Sequence, residues 1–168
     1  MKKIICILMI FSFILNFSAC SNDKDDEVSF IEHDCDGLIL TLPYDYIESS
    51  DDRYSFYYSN ANSICIGSRE AKKDISDAGI VLENLTQYTA TIIHSIDPSI
   101  QTNEYNNGYY FEWTKNINDT DYSYLGFTID SGEAYYLIQF ATLKSEYENL
   151  RETFLSYIDN IKIGAWFR

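Results

Sequence analysis

An almost unbroken apolar run covers Ile4 to Phe17, interrupted only by Ser12 and Asn16, and no later apolar run is as long. After it the pattern changes character. Gly37-Leu-Ile-Leu-Thr-Leu42 reads as a first strand, closed by Pro43, which cannot donate to a β-ladder. Tyr54 to Ser59 and Ser63 to Ser68 alternate around Asn60-Ala61-Asn62 and predict a hairpin. Arg69 to Gly79 is polar and ends in glycine, which suits a loop or a single helical turn.

Between Val81 and Ile96 the period lengthens to that of a helix. Leu85, Tyr88, Ile92 and Ile96 share a stripe, with Glu83, Asn84 and Gln87 elsewhere on the cylinder. Asp97-Pro98 stops it. A four-strand meander follows: Ser99 to Tyr105, Tyr109 to Lys115, Tyr122 to Asp130 and Ala134 to Thr142. Its turns fall at Asn106-Asn107-Gly108, at Asn116 to Asp121 and at Ser131-Gly132. These residue types tolerate positive φ or form local hydrogen bonds. Tyr147, Leu150, Phe154, Ile158 and Ile161 then recur at helical spacing. Ser145 with Glu148 has the form of a capping box at that helix's start. Strands, helix, meander and closing helix predict an α+β domain with a single antiparallel sheet of about seven strands flanked by helices.

The first twenty residues have a different purpose. Lys2 and Lys3 precede the apolar run, and Phe17-Ser18-Ala19-Cys20 places small residues directly before a cysteine. That order is the grammar of an export signal, and the apolar stretch is short for a membrane span. It resembles the lipobox of bacterial lipoproteins, with Phe17 where leucine is usual. The resemblance implies cleavage after residue 19 and acylation of Cys20. The alternative, an uncleaved anchor helix, also leaves the domain outside the cytoplasm. The chain thus divides into a signal (1–19), a lipidated cysteine with an acidic tether (20–35) and a domain (36–168). Lys24-Asp-Asp-Glu27 looks like the acidic signal that sends some Bacteroidota lipoproteins to the cell surface; a plain solvated spacer is the other reading.

Charge narrows the partners. The chain carries −14, and losing Lys2 and Lys3 with the signal makes it −16. Phosphate backbones repel such a domain, which argues against nucleic acid, and an anionic bilayer does likewise. The expected tie to the membrane is therefore the lipid, and the expected partner an envelope protein.

Little in the sequence offers reactive chemistry. Cys6 leaves with the signal and Cys20 takes the lipid, so Cys35 and Cys65 remain. They could bridge, closing a loop worth roughly 3–4 kcal/mol, or stay separate buried thiols. His33-Asp34-Cys35 could offer ligands to a metal, but no second cluster completes a tetrahedral site, so no metal is expected. A Cys65–His94 nucleophilic pair is conceivable and lacks an orienting third group. Asn116, Asn118, Asp119 and Asp121 lack the glycine and terminal glutamate of a helix-loop-helix calcium site. No phosphate loop, dinucleotide fingerprint or Gly-x-Ser-x-Gly occurs, and neither a cofactor nor catalysis is expected.

Aromatic content stands out, with 15 tyrosines, 10 phenylalanines and 2 tryptophans. Alternation puts Tyr109, Phe111 and Trp113 on one face and Tyr110 with Glu112 on the other. Tyr135, Leu137 and Gln139 likewise oppose Tyr136, Ile138 and Phe140. Most of these rings are expected in the core. If one face is open, Tyr109, Tyr110, Trp113, Tyr135 and Tyr136 are candidates to touch a protein partner or, alternatively, to stack on a surface glycan or small ligand.

The order of elements is itself familiar. Leu42-Pro43 followed by aromatics, the Leu82-Glu-Asn-Leu-Thr-Gln-Tyr88 helix start, the Asn107-Gly-Tyr-Tyr110 hairpin, Tyr135-Tyr-Leu-Ile-Gln-Phe140 and the closing Ile161-Lys-Ile163 resemble the PsbP, Mog1 and DcrB-like superfamily over about residues 36 to 163. This resemblance implies an antiparallel sheet sandwiched between helices. It also implies partner binding, since characterised members bind a small GTPase in one case and a photosystem in another. It supplies no catalytic residues.

Overall fold

A computed structural model describes residues 28–164. The signal, Cys20, most of the tether, Trp166 and Phe167 lie outside the described residues. The strands are β1 (Phe30–Asp34), β2 (Leu38–Pro43), β3 (Ile47–Glu48), β4 (Phe56–Ser59), β5 (Ser63–Ala71), β6 (Thr102–Tyr105), β7 (Gly108–Ile117), β8 (Thr120–Asp130), β9 (Ala134–Leu143) and β10 (Lys162–Ile163). The helices are α1 (Lys72–Asp77), α2 (Leu85–Ile96) and α3 (Lys144–Asp159).

Seven strands form the main antiparallel sheet in the order β3-β4-β5-β9-β8-β7-β6. Two of its hairpin turns are built by Asn and Asp in the left-handed region: Asn106 (φ 44°) with Asn107 (63°), and Asn118 (49°) with Asp119 (63°). A two-residue turn with both φ values positive matches the right-handed twist of the strands it joins. The sequence supplies short polar side chains at all four positions, so the meander closes with little strain.

Period-two alternation then sorts the side chains. Tyr136, Ile138 and Phe140 of β9 join Leu125, Phe127 and Cys65 in the main core. That core is covered by Phe154, Leu155 and Ile158 of α3 and by Leu38, Leu40 and Leu42 of β2. On the opposite face α2 packs Ile93 against Phe111 and Leu137. Thr89 of α2 shares a 2.6 Å hydrogen bond with Thr128 of β8, satisfying two buried hydroxyls.

Four local expectations are corrected. Phe30 to Asp34 is a strand and not tether: it pairs with β2 from Phe30↔Pro43 to Asp34↔Ile39, and Glu32 is held by Lys162 at 2.5 Å. With β10 on the other side of β2, this makes a second, three-stranded sheet. α2 begins at Leu85, four residues later than Val81, while the polar stretch after β5 holds the short helix α1, in line with the helical-turn alternative read there. Asn84 causes that late start, because its side chain accepts the Gln87 N–H at 3.0 Å and caps the helix there. Tyr88, Thr89 and Ile93 are the buried residues of α2, with Ile92 and Ile96 at the edge of the contact. The capping box of the last helix does not form. β9 runs directly into α3, Leu143 occupies the N-cap position without a side-chain bond, and Ser145 falls within the first turn.

Candidate functional site

Burial divides the five aromatic candidates. Tyr136 is 0% exposed, and its hydroxyl donates to the Asp36 carbonyl at 2.6 Å. Tyr135 is 2% exposed and stacks on Tyr88 of α2 at 4.7 Å, with the Lys72 ammonium over its ring. Both rings are closed off from the surface in this structure. Alternation put both on the right faces, but α2 and the β2 layer cover those faces at β9.

Tyr110 faces α3 and is engaged there. The Arg151 guanidinium lies over its ring, Arg151 Nε donates to Glu112 at 2.7 Å, and the Tyr147 hydroxyl donates to the same carboxylate at 2.9 Å. Burial, reinforced by Glu112, raises the pKa of the Tyr147 phenol, so it remains a donor to this network. Tyr109 lies on the α2 face, sharing a 2.8 Å hydrogen bond with Thr86. It lines an open cleft of about 250 Å³ together with Ile93, His94 and Ile100. Drug-sized ligands usually occupy about 300–1,000 Å³ with most of their surface covered, so this cleft is small for one.

Trp113 is the candidate that best matches an accessible platform. It is half-buried and stacks on Phe111 at 5.5 Å and on Tyr124, its cross-strand neighbour, at 4.8 Å with only 9° between the rings. Gly126 makes this row possible: a Cβ there would lie 2.7 Å from the Phe111 ring and 3.0 Å from Trp113. Such a clash would push the rings off the sheet. Tyr124 is also half-buried. Burial, with the nearby phenols of Tyr54 and Tyr122, pushes its pKa up to about 12. Tyr54 belongs to the β3–β4 connection and carries the Arg53 guanidinium over its ring at 5.5 Å. The row thus runs Phe111, Trp113, Tyr124, with Tyr54 beside it, on the face that α2 covers only in part. Tyr124 and Tyr54 were missed from the sequence because strand register brings Tyr124 to Trp113 and a loop's path brings Tyr54 near Tyr124. Only the alternation of Tyr122 and Tyr124 in β8 hinted at their common face.

The cysteines do not pair. Cys35 and Cys65 are free, buried thiols in the same core. Cys35 Sγ lies 3.7 Å from the His33 carbonyl, and burial pushes its pKa up to about 12. Cys65 is completely enclosed, and burial raises its pKa well above the usual thiol range. The sign is that of a group kept neutral by the fold. A thiol with an ordinary value of 9.0 when unfolded and about 12 when folded stabilises the native state below pH 9, and that stability is lost between pH 9 and 12. Two results are expected at pH 8: native protein resists alkylation at both thiols, and denaturation without reductant exposes both to labelling. Failure of both to label after denaturation would mean a bridge.

The remaining reactive combinations do not assemble. Cys65 points into the α3-side core while His94 lines the cleft on the α2 side, so the sheet separates them. His33 packs its ring 4.4 Å from Tyr58, and burial lowers its pKa despite Glu48. Among the described residues no group of three His, Cys, Asp or Glu side chains is placed to hold a metal. In the Asn116–Asp121 turn, Asn116 Nδ2 donates to Asp121 at 2.7 Å, a local side-chain bond across the hairpin.

With this geometry in view, the comparisons concern fold. No family model matches the sequence, and no curated protein shows significant sequence similarity to it. A crystal structure from Bacteroides thetaiotaomicron VPI-5482 superposes with a TM-score of 0.56 at 15% identity. It covers 79% of this chain, and this chain spans about half, 47%, of that one. The Ran-binding protein Mog1p of Saccharomyces cerevisiae superposes with a TM-score of 0.51 at 8% identity, over 82% of this chain and 96% of its own. Cyanobacterial PsbP from Synechocystis sp. PCC 6803 gives 0.44 at 8% identity, over 87% and 98%. The chain therefore shares the fold of Mog1p, an α+β architecture around an antiparallel sheet.

Proposed function

We propose that this chain is a lipid-anchored, extracytoplasmic accessory module that works by binding a protein partner in the cell envelope. The observation that carries the reading is the half-buried row of Trp113 and Tyr124, with Tyr54 beside it, on the sheet face that α2 covers in part. Tyrosine and tryptophan bring large apolar area with a polar tip, the combination enriched at protein contacts. The order of Lys2-Lys3, apolar run and Ser18-Ala19-Cys20 supports export and acylation. The role is a non-catalytic one, in keeping with the separation of Cys65 from His94 by the sheet.

Protein contact is favoured over glycan stacking by the use of the Trp113 ring. It already stacks on Phe111 and Tyr124, and a sugar needs a free aromatic face. A photo-crosslinking residue at Tyr124, in intact envelopes, is expected to capture a discrete protein. The same residue at Glu146, exposed on α3 across the sheet, is expected to capture none. Equal capture from both positions, or none from either, would overturn the reading.

A further inference from the structure

Exposed large apolar side chains are not scattered evenly. Five of them, Val28, Phe30, Ile31, Tyr44 and Ile47, belong to β1 with the residues just before it and to the passage from β2 into β3. Pairing brings the start of β1 beside the end of β2 at one corner of the fold, with Phe30 and Ile31 on opposite faces of that edge strand. Phe30 lies opposite Pro43, Ile31 opposite Leu42, and the Tyr44 N–H donates to the Ser29 carbonyl at 2.9 Å. A turn closed by Tyr46 N–H donating to Pro43 leads directly to Ile47. Tyr44 is 60% and Ile47 69% exposed, although Tyr46 between them is buried. Phe30, at 55%, touches only the edge of the Tyr157 ring at 6.5 Å.

The position of this corner along the chain says what covers it. It stands where the described fold begins, eight residues after Cys20. An extended chain reaches at most 3.3–3.6 Å per residue, so Val28, the first residue of the corner, stays within about 28 Å of Cys20 however the segment runs. We infer that this corner, Val28, Phe30, Ile31, Tyr44 and Ile47, seats in the interfacial zone of a zwitterionic lipid surface. The inference rests on the lipid anchoring proposed above. Aromatic and branched apolar side chains suit the boundary between headgroups and acyl chains. Asp45 and Glu48 flank the corner, and the mature chain carries a large negative charge, so anionic headgroups are disfavoured. The acyl anchor supplies the affinity and the corner sets the orientation of the domain.

The test uses protein purified from membranes with its N-terminus intact, bearing Ile47→Cys labelled with an environment-sensitive fluorophore. Cys35 and Cys65 are buried and stay unlabelled in native protein. On phosphatidylcholine vesicles the fluorophore is expected to shift to the blue and to be quenched by lipids spin-labelled near the headgroup. A fluorophore at Glu146→Cys stays water-like. Phe30→Ser with Tyr44→Ser is expected to cut the quenching at position 47 severalfold while the protein still sediments with vesicles. Vesicles rich in phosphatidylglycerol are expected to weaken it. Sedimentation with a water-like signal at position 47 would overturn the seating alone. Failure to sediment, with Cys20 found unmodified, would overturn the anchoring and the seating together.

Discussion

Phe140→Ala is expected to lower the unfolding free energy by about 3–5 kcal/mol, the cost of emptying a fully buried phenylalanine site. Phe140 is 0% exposed in the middle of β9, the central strand of the main sheet. Its ring stacks on Phe154 of α3 at 5.1 Å and meets Tyr157 at 5.7 Å. Removing it therefore opens a void where the sheet, α3 and Leu42 of the second sheet share one core. Aromatic pairs of this kind add about 0.5–1.5 kcal/mol beyond their buried area, so the loss belongs at the upper end. Total stabilities of single domains run about 5–15 kcal/mol, so much of the margin disappears. Urea denaturation checks this. A loss below about 1 kcal/mol would mean that α3 does not close the core here.

Cys20→Ala is expected to move the protein almost wholly from the membrane fraction to the soluble one. Each buried CH₂ of an acyl chain contributes about 0.8 kcal/mol, so two or three chains outweigh any contact the domain can make alone. Among the described residues no helix is long and apolar enough to cross a membrane, which leaves residues 28–164 without a helical span of their own. The proposed seating of the corner does not alter this expectation, because there the acyl anchor supplies the affinity and the corner only sets the orientation. Fractionation in high salt checks it. Variant protein that stays with membranes would show that something other than the lipid is the main tether.

What the sequence revealed follows from how local each signal is. The meander was legible because alternation and Asn-rich turns are encoded within a few residues, as Asn106 and Asn107 illustrate. The opposite facing of Tyr109 and Tyr110, and of Tyr135 and Tyr136, was equally legible from period two. Whether a face stays open was not. Tyr135 is closed off by Tyr88 from a helix 47 residues earlier, and Tyr136 by a bond to Asp36, 100 residues away. β1 was hidden for a related reason. Phe30-Ile-Glu-His-Asp34 is short and acidic, and its strand state depends on a ladder with β2 and on Lys162, 130 residues downstream of Glu32. The cysteines show the same limit: Cys35 and Cys65 share a core without sharing a bond. Among the site residues Trp113 was accessible to pattern reading, whereas Tyr124 and Tyr54 needed register and loop path.

The central claim, an anchored module acting through a protein partner, is tested most directly by crosslinking in native envelopes followed by affinity capture, comparing the anchored protein with its Cys20→Ala form. One partner recovered near stoichiometrically, and from the anchored form alone, is the predicted result. Recovery of no protein from either form would contradict the claim and shift the aromatic row toward glycans or small ligands.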